Sequence, residues 1–250
     1  MKKEVGHSFL AKLGKTRLRP GGRKATDWLI AQGDFSQDKQ VLEVACNMGT
    51  TAIGIAKQFG CHIEGVDLNE EALQKAEKNI QEAGLQNKIH VQRANAMKLP
   101  FEDESFDIVI NEAMLTMLPV EAKRKAITEY YRVLKPNGLL LTHDVMLTSD
   151  NCQDVIEELR SAINITVTPL TKTNWKKLFH EVGFRYSDCL TGKMTLLSPT
   201  GLIYDEGISG ALKIVGNALK AKNREQFKKM FNVFNSPENK LNFIAICSQK

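Results

Sequence analysis

Apolar residues along the chain fall into two patterns, short continuous runs and longer stretches with helical spacing. Val41, Leu42, Val44 and Ala45 form a run too short and too continuous for an amphipathic helix, as expected of a strand buried on both faces. Gly49 then opens a stretch whose apolar members Ala52, Ile53, Ala56 and Phe59 recur at helical spacing, and Gly60 closes it. A second strand is expected over His62 to Val66, ending on Asp67, a third over Ile89 to Val91 and a fourth over Asp107 to Asn111. Lys135-Pro136-Asn137-Gly138 reads as a helix stop and a turn into a fifth strand. Beyond it the pattern predicts a helix over Trp175 to Val182 closed by Gly183, a strand over Phe184 to Leu190, and a buried final strand over Leu241 to Cys247. Between those last two strands lies a long insertion, about Ser198 to Asn239, with helices expected around Ile208 to Leu219 and Arg224 to Phe234. Ahead of the first strand, Pro20-Gly21-Gly22 reads as a hinge before a helix with Ala25, Trp28, Leu29 and Ile30 inward. Strands alternating with helices describe an α/β fold.

The segment from Val41 to Glu71 is strand, tight turn, helix, and a second strand that stops on an acid. Open parallel sheets bind ligands at the carboxyl ends of their strands, and an acid there accepts hydrogen bonds from ribose hydroxyls. The turn discriminates between two nucleotide chemistries. A pyrophosphate needs Gly-x-Gly-x-x-Gly, which an NAD-dependent oxidoreductase would carry. Here the pattern is Glu43-x-Ala45-x-Asn47-x-Gly49. It resembles the Glu/Asp-x-Gly-x-Gly-x-Gly first motif of class I S-adenosylmethionine-dependent methyltransferases, with Ala and Asn at the first two glycine positions. An acid at Glu43 opposes a pyrophosphate but suits a ligand bearing an ammonium and a sulfonium. Asn47 enters positive φ more readily than most residues with a side chain, and Ala45 is the harder departure.

Later blocks recur in the family's order. Gln92 to Met97 follows the third strand, and Leu99-Pro100-Phe101 to Ser105-Phe106-Asp107-Ile108-Val109 is similar to a block of the ubiquinone-biosynthesis-like (methyltransferase type 11) branch. Leu134-Lys135-Pro136-Asn137-Gly138 resembles the Leu-Lys-Pro-Gly-Gly turn of the same enzymes. The resemblance spans Val41 to Asp144. It implies a seven-stranded, mostly parallel Rossmann-like sheet with helices on both faces, the last strand antiparallel, and a helical lid insertion. It also implies S-adenosyl-L-methionine as cofactor and S-adenosyl-L-homocysteine as product. Carried over residue by residue, Glu43 would face the methionine ammonium and the Ala45, Asn47 and Gly49 backbone the methionine part. Asp67 would hold the ribose, Leu68 one face of adenine, Asn95, Ala96 and Met97 its other face and edge, and Asn111 the methionine end.

Composition narrows the class. With 250 residues, 42% hydrophobic and 25% charged, the chain can bury a full core, has no apolar stretch near bilayer length and no signal-peptide core, so a cytoplasmic location is expected. Cys46, Cys61, Cys152, Cys189 and Cys247 are odd in number and scattered, so neither a disulfide framework nor a metal site is expected, and Cys46 reads as a small apolar filler. The net charge of +5 is concentrated at the start, where Lys2, Lys3, Lys12, Lys15, Arg17, Arg19, Arg23 and Lys24 face Glu4 alone. Such a segment could bind nucleic acid, lie on an anionic membrane, attract an anionic small substrate or simply solvate the chain, and if it folds over the cofactor Arg17 or Arg19 could reach a carboxylate or phosphate. Phe9 is its one aromatic for base stacking, and Asn111-Glu112-Ala113-Met114 departs from the Asn/Asp-Pro-Pro-aromatic motif of many nitrogen methylases, so nucleic acid is disfavoured as acceptor.

The expected organisation is a basic segment and cap helix over 1–40 and a methyltransferase domain over 41–250, with the 198–239 insertion as lid and Leu202, Ile203 and Tyr204 as lid contacts. The acceptor is a small molecule whose identity the sequence leaves open, as it leaves monomer or homodimer open. Aligning acceptor, methyl and sulfur dominates such a transfer, so a general base is optional. If there is one, His143 at the end of the fifth strand comes first, with Glu112, Asp144 and an inward-folding His7 as alternatives. A protein that keeps the fold and binds ligand or RNA without catalysis is the reading from a different class.

Overall fold

The continuous apolar runs become the inner strands of one sheet in a computed structural model that describes residues 4–150, 152–185, 188–236 and 240–250. In chain order the helices are α1 (Gly6–Leu13), α2 (Gly22–Gln32), α3 (Thr50–Phe59), α4 (Glu70–Glu82), α5 (Val120–Val133), α6 (Gln153–Ile163), α7 (Lys172–Val182), α8 (Pro199–Ala218) and α9 (Ala221–Asn235). The strands are β1 (Gln40–Val44), β2 (His62–Asp67), β3 (Ile89–Arg93), β4 (Phe106–Glu112), β5 (Leu134–Leu147), β6 (Leu170–Thr171), β7 (Cys189–Lys193) and β8 (Leu241–Gln249). Seven strands lie in the order β3-β2-β1-β4-β5-β8-β7, with the two-residue β6 paired to the end of β5. Only β8 runs against its neighbours, antiparallel to both β5 and β7. The order reverses between β1 and β4, the switch point where such sheets open a crevice.

Both sheet faces are covered, which explains the unbroken apolar runs. Val41, Ile63, Ile108 and Phe243 pack under α2, α3 and α4 through Leu29, Ile55 and Ala76. Leu42, Val44, Val109 and Ile244 pack under α5 and α7 through Ile127, Tyr130 and Trp175. A third cluster belongs to a helical cap, where Phe9, Leu10 and Leu13 of α1 meet Leu159 of α6, Ile214 of α8 and Met230 and Phe234 of α9.

The basic segment is tied into the fold. Lys15, 1% exposed, places Nζ 3.1 Å from Asp205 and 3.4 Å from Glu206 on α8. Pro20-Gly21-Gly22 is a docked turn and not a free hinge: Thr195 N donates to Pro20 O at 2.8 Å, and Arg23 N to Asp205 Oδ1 at 2.7 Å. Glycine is required there because a Cβ on Gly21 would stand 2.6 Å from the Phe243 ring. Lys2 and Lys3 lie outside the described residues.

Several elements differ from the pattern's forecast. β5 already begins at Leu134, because Pro136, Asn137 and Gly138 form an irregularity inside the strand: Phe106 pairs with Leu134, but Ile108 pairs with Leu139. The strand expected over Phe184 to Leu190 starts at Cys189, Arg185 contributes only an isolated bridge to Gln249, and residues 186–187 lie outside the described residues. α8 starts at Pro199, nine residues before the expected Ile208, capped by Ser198 Oγ accepting from Gly201 N at 3.0 Å. It kinks at Gly207, whose φ is 72°. α6 was not anticipated, although Val155, Ile156, Leu159 and Ala162 carry helical spacing.

One clip joins the chain beyond β4 to the segment before β6. Lys123, 0% exposed, donates from Nζ to Leu118 O and Thr168 O, both at 2.6 Å, and burial lowers its pKa to about 8. Replacing it by Met keeps the volume but removes the charged donor shared by Leu118 O and Thr168 O, of which Leu118 O keeps the Thr168 hydroxyl. Lys123→Met is expected to cost about 2–4 kcal/mol in urea unfolding. A change under about 0.5 kcal/mol would show that the clip contributes nothing.

Candidate active site

The turn after β1 takes a backbone shape that glycine adopts most easily, at three alternate positions. Ala45 has φ 60°, Asn47 50° and Gly49 71°. Cys46 N holds the turn to β2 by donating to Val66 O at 3.0 Å, and burial raises the Cys46 thiol pKa, as expected of a filler. Left-handed backbone costs a residue with a Cβ about 1–2 kcal/mol, offset in part by the extra unfolded-state freedom of glycine. Ala45→Gly is therefore expected to raise stability by about 0.5–1 kcal/mol in thermal unfolding, and a loss of stability would mean that the Ala45 methyl packs usefully.

Asp67, at the end of β2, is held by the backbone on both sides. Oδ2 accepts from Asn47 N at 3.0 Å and Oδ1 from Asn69 N at 2.9 Å, so each oxygen keeps a further acceptor site facing the cleft. Asn69 also caps α4 by accepting from Glu71 N and Ala72 N.

Beneath the turn lies a buried ionic cluster. Glu112, ending β4, accepts from Thr26 Oγ1 at 2.6 Å and Thr51 Oγ1 at 3.3 Å, and lies 3.3 Å from Arg19 Nη1. Although burial opposes it, Arg19 and His143 bring the Glu112 pKa down to about 2. Glu43 on β1 accepts from Ala52 N at 3.0 Å, and burial, followed by the charge of Glu112, raises its pKa to about 8. The neighbouring acids are thus pushed apart, one a fixed anion and the other protonated at neutral pH.

His143 stands at the end of β5, 0% exposed, with both ring nitrogens engaged. Gly21 N donates to Nε2 at 2.9 Å, which places the ring proton on Nδ1, 3.0 Å from Glu112 Oε2. In this arrangement no ring lone pair is free for an acceptor. The sequence argument, which knew only that a strand end is a productive place for a histidine, had no view of Gly21.

Two cavities that share wall residues open at this edge. The larger, about 220 Å³, is lined by Glu43, Ala45, Asn47, Asp67 and Glu112, with Arg19 from the basic segment. The smaller, about 80 Å³, lies behind it under the helical cap, walled by Leu10, Leu159, Val167, Leu196 and Met230 with Asp144 at one side. His7, Leu18, Ala113 and Met117 line both.

Of the other expected residues, Gly49 caps α3 with its left-handed backbone beneath the turn. Asn111 is 0% exposed, donates to Val44 O at 3.3 Å and leaves Oδ1 buried without a partner. Leu68 is 58% exposed just past β2, while Asn95, Ala96 and Met97 follow β3, Asn95 Oδ1 accepting from Met97 N at 2.9 Å. Asp144 is buried, its oxygens accepting from Thr116 N at 3.0 Å and Val145 N at 2.7 Å. The lid contacts need correcting: Leu202 is buried in the cap core, and Ile203 and Tyr204 are 51% and 56% exposed and line neither cavity. Sequence reasoning missed Thr26, Thr51 and the apolar cap residues Leu159, Val167 and Met230, which carry no motif.

The cleft lining fits a ligand with ammonium and sulfonium charge and ribose hydroxyls: three carboxyl groups, of Glu43, Asp67 and Glu112, against one engaged arginine, and a turn that brings bare backbone to the cleft. A family model described as a methyltransferase domain matches residues 41–138. A Haemophilus influenzae protein, named only as uncharacterized, is 76% identical over 249 residues, covering 100% of this chain and 99% of that one. Methyltransferase GfsG of Streptomyces halstedii is 25% identical over 86% of this chain and 77% of its own. In fold, the chain is similar to a putative sarcosine dimethylglycine methyltransferase from Galdieria sulphuraria, with TM-score 0.75 and 17% identity over 98% of this chain and 97% of that one. Acidic strand end, glycine-like turn, the methyltransferase-domain match and methyltransferase relatives converge, and the chain is an S-adenosylmethionine-dependent methyltransferase with the fold of its solved neighbours.

Proposed function

We propose that the chain transfers the methyl group to a small, uncharged, largely apolar molecule held in the cavity under the helical cap. The observation that carries this reading is the pairing of the two cavities, one acidic and open, the other walled by aliphatic and Met side chains. S-adenosylmethionine supplies an electrophilic methyl on a sulfonium, and the remaining work is alignment and exclusion of water, worth roughly 7–11 kcal/mol of barrier. In this reading Glu43 faces the ammonium, the 45–49 backbone the methionine part, Asp67 the ribose, Leu68, Asn95, Ala96 and Met97 the adenine, and Asn111 the methionine end. Glu112 and His143 act as braces, joining β4, β5, α2 and the Gly21 turn into one floor.

An anionic acceptor finds less support. Arg19 is paired with Glu112, Lys15 with Asp205 and Glu206, and Arg17 donates to Asp205 O, so the cations that would have met it are engaged. The test is to incubate the protein with methyl-labelled S-adenosylmethionine and a small-molecule extract of Haemophilus influenzae, then partition the products between water and an organic solvent. Label is expected in the organic phase. Label confined to water-soluble anions or to macromolecules would overturn the reading.

A further inference from the structure

The cavity under the cap presents few polar atoms, and one of them lacks a partner. His7, on α1, has its Nδ1 buried with no hydrogen-bond partner among the described residues. Against the opposing pull of Asp67, burial lowers the His7 pKa from the ordinary histidine value, which favours the neutral ring, and its Nε2–H tautomer offers a lone pair at Nδ1. The other ionisable group of this cavity, Asp144, is already engaged at both oxygens by Thr116 N and Val145 N. His7 also lines the cofactor cleft, so it is one of four residues common to the walls of both cavities. Leaving such a nitrogen unpaired is costly, and a ligand donor in the cavity would relieve that cost.

We propose that His7 is the proton acceptor for methyl transfer and that the acceptor molecule is an apolar compound with a phenolic or enolic hydroxyl, hydrogen-bonded to Nδ1. The proposal rests on the apolar-acceptor reading above and adds the reacting atom and the base. The acceptor oxygen forms the new bond to carbon with a lone pair, the carbon–sulfur bond breaks with its electrons going to sulfur, and the hydroxyl proton passes to His7 Nδ1. The sulfonium charge is thereby replaced by an imidazolium, which loses its proton to water. Hydroxyl acidity selects the class: an aliphatic alcohol is far too weak an acid for imidazole, whereas a phenol is within reach. A charged ammonium would enter an apolar cavity whose carboxylate is already bonded, at a high desolvation cost.

The test uses the full chain saturated with S-adenosylhomocysteine and two probes of matched shape, p-cresol and toluene, with binding followed by the shift of carbon-labelled His7 in NMR and by competition. p-Cresol is expected to bind at least fivefold more tightly than toluene and to move the His7 resonance. His7→Phe is expected to abolish that preference, read as the ratio of the two probe affinities at saturating S-adenosylhomocysteine. With S-adenosylmethionine and p-cresol, the acid limb of the rate profile is expected to vanish in His7→Gln. Equal binding of the two probes, or a preference that survives His7→Phe, overturns the role of His7 and leaves the apolar-acceptor reading standing. Failure of both probes to bind overturns that reading and this proposal together. If His7→Phe does not fold, the wild-type comparison and His7→Gln decide alone.

Discussion

Replacing Asp67 by alanine is expected to lower the affinity for S-adenosylhomocysteine by at least about 100-fold in calorimetric titration, with little change in the fold. Two hydrogen bonds from ribose hydroxyls to a carboxylate contribute about 1.5–3 kcal/mol each, and both are lost together. A second loss comes from the protein itself. Asp67 Oδ2 is the anchor for Asn47 N, so the strained turn at Ala45 and Asn47 loses its brace when the carboxylate goes. Asp67→Asn keeps one oxygen for that brace and is expected to fall between the alanine variant and the native chain. A change below threefold for Asp67→Ala would remove this residue from the cofactor site.

Cofactor affinity is also expected to depend steeply on pH, through Glu43. Its pKa of about 8 in the free protein means that it carries a proton at pH 7. A bound ammonium nearby favours the carboxylate, so binding expels that proton. Affinity should then rise with pH by up to about tenfold per unit below about pH 8 and level off above it. Calorimetry in two buffers of different ionisation enthalpy would read the released proton directly, and Glu43→Gln should flatten the profile while weakening binding at pH 8. A flat profile in the native chain would place the ammonium away from Glu43.

The same shift has a consequence for the unliganded fold, of opposite sign to that of Glu112. A carboxyl whose pKa is raised on folding, as from 4.5 to about 8 for Glu43, contributes stability that is complete below about pH 4.5 and is lost as pH rises through 8. Glu112, lowered from 4.5 to about 2, contributes stability present above about pH 4.5 and lost as pH falls through 2. Glu43→Gln should therefore raise the Tm at pH 8 and leave it nearly unchanged near pH 5. Such a variant, more stable and weaker in binding, is what a site held ready for a cation predicts.

Much of the cofactor half was legible because its signals are local. The run from Val41 to Ala45, the turn to Gly49, the helical spacing after it and the acid at Asp67 each depend on residues a few positions apart, and backbone sterics act at that range. The positive φ of Asn47 follows from residue type, and Ala45 adopts the same backbone because Cys46 N is tied to β2. The failures share a cause. α8 was started late because Pro199 after Ser198, a helix start, was passed over in favour of the apolar spacing past Gly207. Leu202 was separated from Ile203 and Tyr204 only by which face of α8 the cap covers.

By itself the sequence determined the strand and helix alternation, the two-face burial of the central strands, the acidic end of β2 and the glycine-like turn, since each is decided by neighbours within a turn or two of chain. Tertiary structure alone decided what the scattered polar residues do. Gly21 and His143 are 122 positions apart and Lys15 and Asp205 190 apart, and no periodicity encodes such meetings. Packing of α1 against α6, α8 and α9 made the apolar cavity and set His7 in its wall, while the contact with Gly21 N took the free lone pair from His143. A side chain's chemistry depends on which of its atoms still lack a partner once the chain has closed around it, and that is a property of the packed molecule.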